Sequence, residues 1–137
     1  MSSEEVPEGW EVKRLEDLGD FKNGVNKGKE DFGFGTLFVN ISDAYQERLK
    51  CDSLGRLNAS DVDLINYGLE VGDIIFVRSS VKPTGVGYPT LFRGHREKVV
   101  FCGFMIRYTF DHKIMYPEYL IYALKEPWFR REMMKVA

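Results

Sequence analysis

The side chains here best placed to do chemistry are hydrogen-bond donors rather than nucleophiles or metal ligands. Arg78-Ser79-Ser80-Val81-Lys82-Pro83-Thr84-Gly85 leaves directly from the apolar run Ile74-Ile75-Phe76-Val77. An arginine can donate two hydrogen bonds to a guanine edge in the major groove of a duplex. Serine, threonine and lysine donate to phosphates, and glycine lets backbone N–H groups approach them. Such a loop on a buried strand suits double-stranded DNA recognition, although a merely polar strand exit accounts for the same residues equally well. A second donor set, Asn26, Lys27 and Lys29, lies in the glycine-rich stretch 22–35. A third, Arg93, His95, Arg96 and Lys98, is suited to holding phosphates.

Other chemistries find little support. Gly33-Phe34-Gly35 and Gly85-Val86-Gly87 each lack the third glycine of a dinucleotide-binding turn, and no Gly-Lys-Ser/Thr exists to cradle a phosphate. Cys51, His95, Cys102 and His112 are too scattered for a zinc site, which takes its ligands in close pairs; a core thiol and exposed histidines are the plainer reading. Gly-x-Ser-x-Gly is absent. Glu11-Val12-Lys13 has the spacing of a nuclease motif, but it is a common tripeptide, and charges on an edge strand also discourage aggregation. The chain is therefore expected to be non-catalytic, with no cofactor or metal of its own.

A chain of 137 residues suits one domain, and 44% hydrophobic with 14% aromatic residues is enough for a real core. No apolar run approaches a membrane span, and the acidic start Met1-Ser2-Ser3-Glu4-Glu5 is not a signal peptide. A cytoplasmic protein with two reduced thiols is the expectation, which makes the triplets Asn40-Ile41-Ser42 and Asn58-Ala59-Ser60 chance acceptor sequences. The net charge of −2 argues against a generic polyanion binder. It is unevenly spread: residues 78–98 hold Arg78, Lys82, Arg93, Arg96 and Lys98 against Glu97 alone. A basic island in an acidic chain implies one face for an anionic partner, unless it is simply a solvated loop surface.

These groups need positioning elements. Residues 1–9 read as a lead-in, and Trp10 to Leu15 as a short edge strand. Asn23-Gly24 is a turn signal opening a mobile loop over 22–35. Leu37 to Ile41 and Ile74 to Val77 read as buried strands. Ser60-Asp61-Val62-Asp63 resembles a capping box for a helix ending near Gly68. Residues 81–94, with Pro83, Gly85, Gly87, Pro89 and Gly94, read as a loop or irregular hairpin, and Val99 to Phe110 as one long strand with a bulge or close backbone approach at Gly103. Pro117 opens a helix to Lys125, Pro127 breaks it, and Trp128 to Val136 restarts one. The sum is an α+β domain: a mixed or antiparallel sheet core with short helices, and C-terminal helices packed on it.

Four segments, in order, resemble the specificity (S) subunit of type I restriction–modification systems. They are Val6-Pro7-Glu8-Gly9-Trp10 through Leu15; Asn23-Gly24 with Phe38-Val39-Asn40-Ile41-Ser42-Asp43; Leu69-Glu70-Val71-Gly72-Asp73-Ile74-Ile75-Phe76-Val77-Arg78-Ser79-Ser80; and Tyr116-Pro117-Glu118-Tyr119-Leu120 with Leu124-Lys125 and Phe129. The resemblance implies one target recognition domain over 10–137, stopping short of the family's spacer helix. It implies a DNA half-site as ligand and methyltransferase and restriction subunits as partners, with S-adenosylmethionine, ATP and Mg on those partners. Direct readout would then fall to Arg78, Ser79, Ser80, Lys82 and Thr84 with Asn26, Lys27 and Lys29, and phosphate contacts to Arg93, His95, Arg96 and Lys98. The alternative is a docking module for a methyltransferase subunit without DNA affinity of its own. Tyr116, Tyr119, Tyr122, Trp128 and Phe129 would serve it if exposed, but packing between helix and sheet is their more ordinary use.

Overall fold

The computed structural model describes residues 15–78 and 87–127. The lead-in, the edge strand as far as Arg14, most of the loop after Arg78 and the helix expected from Trp128 fall outside the described residues. In chain order the elements are α1 (Leu15–Leu18), β1 (Gly19–Asn23), β2 (Phe32–Val39), β3 (Gly55–Leu57), α2 (Asp61–Tyr67), β4 (Ile74–Val77), β5 (Pro89–Leu91), β6 (Val99–Phe101), β7 (Met105–Phe110) and α3 (Pro117–Leu124). This is the α+β class, built on two sheets. One runs β1-β7-β4-β5, all antiparallel; the other runs β3-β2-β6, with β2 parallel to β6.

The four-stranded sheet is covered on both faces, which is why Ile74-Ile75-Phe76-Val77 is apolar throughout instead of alternating. Side chains point to opposite faces along a strand. Ile75 and Val77 enter the core shared with the second sheet, beside Val39, Leu57, Val100, Phe101 and Met105. Ile74 and Phe76 enter the other core, where Tyr108, Phe110 and Leu91 meet Leu120, Ile121 and Leu124 of α3. Three layers result: small sheet, large sheet, helix. Burying each such side chain contributes about 1.5–3 kcal/mol.

The helices start where their sequences direct. Ser60 Oγ accepts from the Asp63 N–H (3.1 Å) and the Asp63 carboxylate accepts from the Ser60 N–H (2.9 Å), a complete capping box. Gly68 caps the other end, and its carbonyl accepts from Arg107 Nη1 at 2.8 Å, which ties α2 to β7. Pro117 occupies the first turn of α3, as expected.

Several local expectations need correction. Leu15 lies in a helical turn, not an edge strand, and its carbonyl accepts the buried Tyr108 hydroxyl at 2.6 Å. The stretch 22–35 is no single loop, because β1 runs to Asn23 and β2 begins at Phe32, three residues before the loop was expected to end. Its glycines Gly33 and Gly35 flank a slip in register, where Phe32 and Thr36 both oppose Leu57. Within 81–94, Pro89–Leu91 forms a strand; β5 is at the sheet edge, where a proline at the first position removes no needed donor. Finally, Val99 to Phe110 is two strands in two different sheets.

The turn entering β4 is closed by Asp73, whose N–H donates to the Glu70 carbonyl (3.0 Å) while its carboxylate accepts from the Glu70 N–H (2.8 Å) and the Thr109 hydroxyl (3.2 Å). Burial pushes this carboxyl's pKa up, opposed by the Glu70 N–H, the Arg107 charge and the Thr109 hydroxyl. Gly72, at the third position of this turn, has φ +92°, and a Cβ there would come within 2.1 Å of the His112 ring. Gly72→Ala should therefore lose about 1–2 kcal/mol from the left-handed backbone alone, plus a steric cost. In urea unfolding, a second change, His112→Ala, should recover the steric part and leave the backbone part; full recovery would contradict this division.

Candidate nucleic-acid interface

The expected donors divide into groups by the elements that carry them. Arg78 follows the last residue of β4 and is exposed. Its backbone N–H donates to the Phe104 carbonyl (2.8 Å) and its guanidinium Nη1 to the Gly103 carbonyl (3.0 Å). A guanidinium has five N–H donors; among the described residues its side chain makes this one hydrogen bond and no ion pair. Asn26 reaches the same turn, lying so close to Gly103 that a Cβ there would meet its Oδ1 at 2.0 Å. The close approach expected at Gly103 is thus made by side chains from two other elements rather than by a backbone.

The turn itself is firmly held. Met105 N–H donates to the Cys102 carbonyl (3.1 Å), Cys102 N–H to Val39 (3.0 Å), Val25 N–H to Phe101 (2.9 Å) and Gly24 N–H to Met105 (3.2 Å). Gly24 packs so tightly that an added Cβ would sit 2.0 Å from the Cys102 carbonyl oxygen. Both thiols, Cys51 and Cys102, are buried and free, and burial pushes the pKa of each up.

Arg93, His95, Arg96 and Lys98 lie elsewhere. Ile74 pairs with Leu91, and the Phe92 N–H donates to the Asp73 carbonyl, so the chain beyond β5 sits at the opposite end of the β4–β5 hairpin from Arg78. The fold does not gather the basic island onto one turn. Arg93 is spent on an ion pair with Glu118, which Arg48 also engages at 3.1 Å. Glu97 is held by Arg56 at 3.1 Å. Arg96 and Lys98 are exposed, without ion pairs among the described residues, and His95 is half-buried. All three border a shallow groove of about 500 Å³ whose other wall includes Leu69 and Val71.

On the glycine-rich stretch, Lys27 Nζ meets the Asp63 carboxylate at 2.7 Å, and Asn58 holds Asp31 through its backbone N–H (2.6 Å) and its carboxamide (3.3 Å). Lys27 is therefore engaged and Lys29 exposed. Ser79, Ser80, Lys82 and Thr84 lie outside the described residues. Phe104, absent from the expected set, stands exposed beside Arg78. The signal that could have found it is the Cys102-Gly103 pair, a break inside an apparently continuous strand. Among the described residues no three histidine, cysteine or carboxylate side chains come together as a metal site. No described helix is long and apolar enough to cross a membrane.

No protein-family model matches the chain, and no curated protein matches it. Among solved structures it is similar to the crystal structure of the HsdS subunit from Thermoanaerobacter tengcongensis, with a TM-score of 0.70 at 16% identity over 96% of this chain. The likeness is one of fold, and the chain spans 30% of the length of that subunit.

The Lys27–Asp63 contact carries a pH signature. The Lys27 hydrogen bond, then the Ser60 N–H, hold the Asp63 carboxyl below its ordinary range. Its contribution to stability is then complete above the ordinary carboxylate range and fades as pH falls through the lowered value. The stability difference between wild type and Asp63→Asn should be full near pH 6 and vanish in strong acid. A difference independent of pH would contradict the assignment.

Proposed function

We propose that this chain recognises double-stranded DNA, as one target recognition domain of a type I restriction–modification specificity subunit. The observation that carries this reading is the fold shared with an HsdS subunit over nearly the whole chain. Arg78 and Asn26, both set against Gly103, give that fold donors suited to base reading. In this reading the domain is non-catalytic and directs methyltransferase and restriction subunits to a half-site, and those partners hold S-adenosylmethionine, ATP and Mg. Arg78, with Asn26 beside it, reads base edges; Arg96 and Lys98, with His95, hold phosphates.

A second reading has an observation of its own. Tyr116, Tyr119 and Tyr122 are 76%, 70% and 65% exposed, so they are not the helix-to-sheet packing that was the ordinary expectation. Tyr116 caps α3, and Tyr119 and Tyr122 follow at three-residue intervals on it, with Leu120, Ile121 and Leu124 buried; such a row would suit docking of a protein partner. Trp128 and Phe129 lie outside the described residues.

Selection from a randomised duplex pool, followed by binding at several ionic strengths, tests the leading reading. With about two to three phosphates neutralised, by Arg96 and Lys98 with the Arg78 charge, log K should fall against log[salt] with a slope near −2 to −3. A flat response would defeat the electrostatic part, and capture of a protein partner with no measurable duplex binding would favour the docking reading. Arg78→Ala should cost about 1–3 kcal/mol and relax base preference, whereas Lys98→Ala should weaken all sequences alike. Identical behaviour of the two variants would overturn the division of roles.

A further inference from the structure

We propose that Phe104 is a base-contacting residue, and that its ring takes the C5-methyl group of a thymine in the major groove between hydrogen bonds made by Arg78 and Asn26. The inference rests on the DNA-binding reading above and adds to it a residue and the base feature it contacts. Three observations converge on this side chain.

First, the phenyl ring is 54% exposed at the turn joining β6 to β7. Exposed large apolar side chains are common singly, but this one is mounted on a backbone held from several directions. Its own carbonyl accepts from Arg78, the adjacent Gly103 carbonyl accepts from the Arg78 guanidinium, and Met105 beyond it is bonded to both Cys102 and Gly24. The ring is thus displayed from a fixed position.

Second, two of the three other exposed phenylalanines have ring partners, and the third, Phe34, has no unpaired cation beside it among the described residues. Phe21 lies 4.6 Å from the Tyr108 ring centroid and Phe32 5.3 Å from that of Phe38. Phe34 sits in the bulge before Gly35, whose carbonyl accepts from Arg56, a cation already neutralised by Glu97. Phe104 has no ring partner among the described residues, and the cation beside it makes no ion pair among them.

Third, the neighbours supply complementary chemistry. Arg78 and Asn26 both touch Gly103, one residue from the ring. A guanidinium pairs with guanine and a carboxamide with adenine, while an apolar side chain makes contact with the thymine methyl. An apolar surface one residue from these two donors matches the mixed edge that a short run of base pairs presents in the major groove.

The test uses the full chain and a duplex chosen from the randomised pool. Thymines in the selected site are replaced one at a time by deoxyuridine, which removes only the methyl group. One replacement should weaken wild-type binding about fourfold, the value of one apolar carbon. Phe104→Ala should bind the parent duplex weaker by a similar factor and be indifferent to that replacement. A selected site without thymine, wild-type binding unchanged by every replacement, or a Phe104→Ala protein that keeps the thymine preference would each overturn the inference while leaving DNA binding standing. No duplex binding by wild type would instead overturn the DNA reading itself, and this inference with it. The deoxyuridine arm needs no substitution in the protein, so it can overturn the inference even if a variant folds poorly, and Phe104→Leu, which keeps an apolar side chain, supplies the second variant for the assignment.

Discussion

The chain crosses from one sheet to the other in the three residues Cys102, Gly103 and Phe104, and the candidate interface depends on that crossing. β6 ends at Phe101 in the small sheet, and β7 begins at Met105 in the large one. So short a connection forces the ends of several strands together. The exits of β2 and β4 bond to it through Val39 and Arg78, and the exit of β1 bonds to its two flanks, Val25 to Phe101 and Gly24 to Met105. Backbone groups at such a junction cannot stay unpaired without cost, and here each strand exit satisfies part of the turn or its flanks. The arginine of β4 and the asparagine after β1 consequently arrive at one place although they are 52 residues apart in sequence.

That convergence requires β4 to be immobile, and its burial on both faces makes it so. One face is packed by the small sheet and the other by α3. A strand covered on one side only would be free to shift as its partner layer moved; this one is clamped. The same clamp explains the buried Asp73. Its carboxylate closes the turn into β4 and reaches across to Thr109 of β7, so the strand enters the sheet at a fixed register. The cost of burying the carboxyl, visible in its raised pKa, is offset by the hydrogen bonds it accepts.

Signals that act over a few residues were legible in the amino-acid sequence. The box around Ser60 and Asp63, the proline opening α3 and the continuous apolar run of β4 each act through neighbours within one turn or strand. What was not legible depended on distant partners. The crossing hides inside Val99 to Phe110 because residues on both sides of it have the same β preference, and only the assignment of strands to sheets separates them. Leu15 reads as strand from its alternation, yet it lies in a helical turn against the second core. The candidate site shows the same limit. Arg78 was readable as the exit of a buried strand. The separation of Arg93 to Lys98 from it follows from antiparallel pairing of β4 with β5, a long-range fact, as does the loss of Arg93 to Glu118 and of Lys27 to Asp63.

Those ion pairs bear on how the surface could discriminate. Exposed pairs add little to stability, about 0–1 kcal/mol each, so their consequence here lies in the field the protein presents. Arg48 and Arg93 share Glu118, Arg56 takes Glu97, and Lys27 takes Asp63. A chain of net charge −2 that also neutralises these cations offers little attraction to polyanions in general. Cations outside such pairs, Arg78 at one end of the hairpin and Arg96 and Lys98 at the other, then carry a larger share of any electrostatic binding. If the partner is a duplex, weak non-specific attraction shifts the balance towards contacts that depend on base identity. A rigid turn with a guanidinium, a carboxamide and a ring is suited to supplying them, because its groups are ordered before the ligand arrives and little entropy remains to be lost on binding.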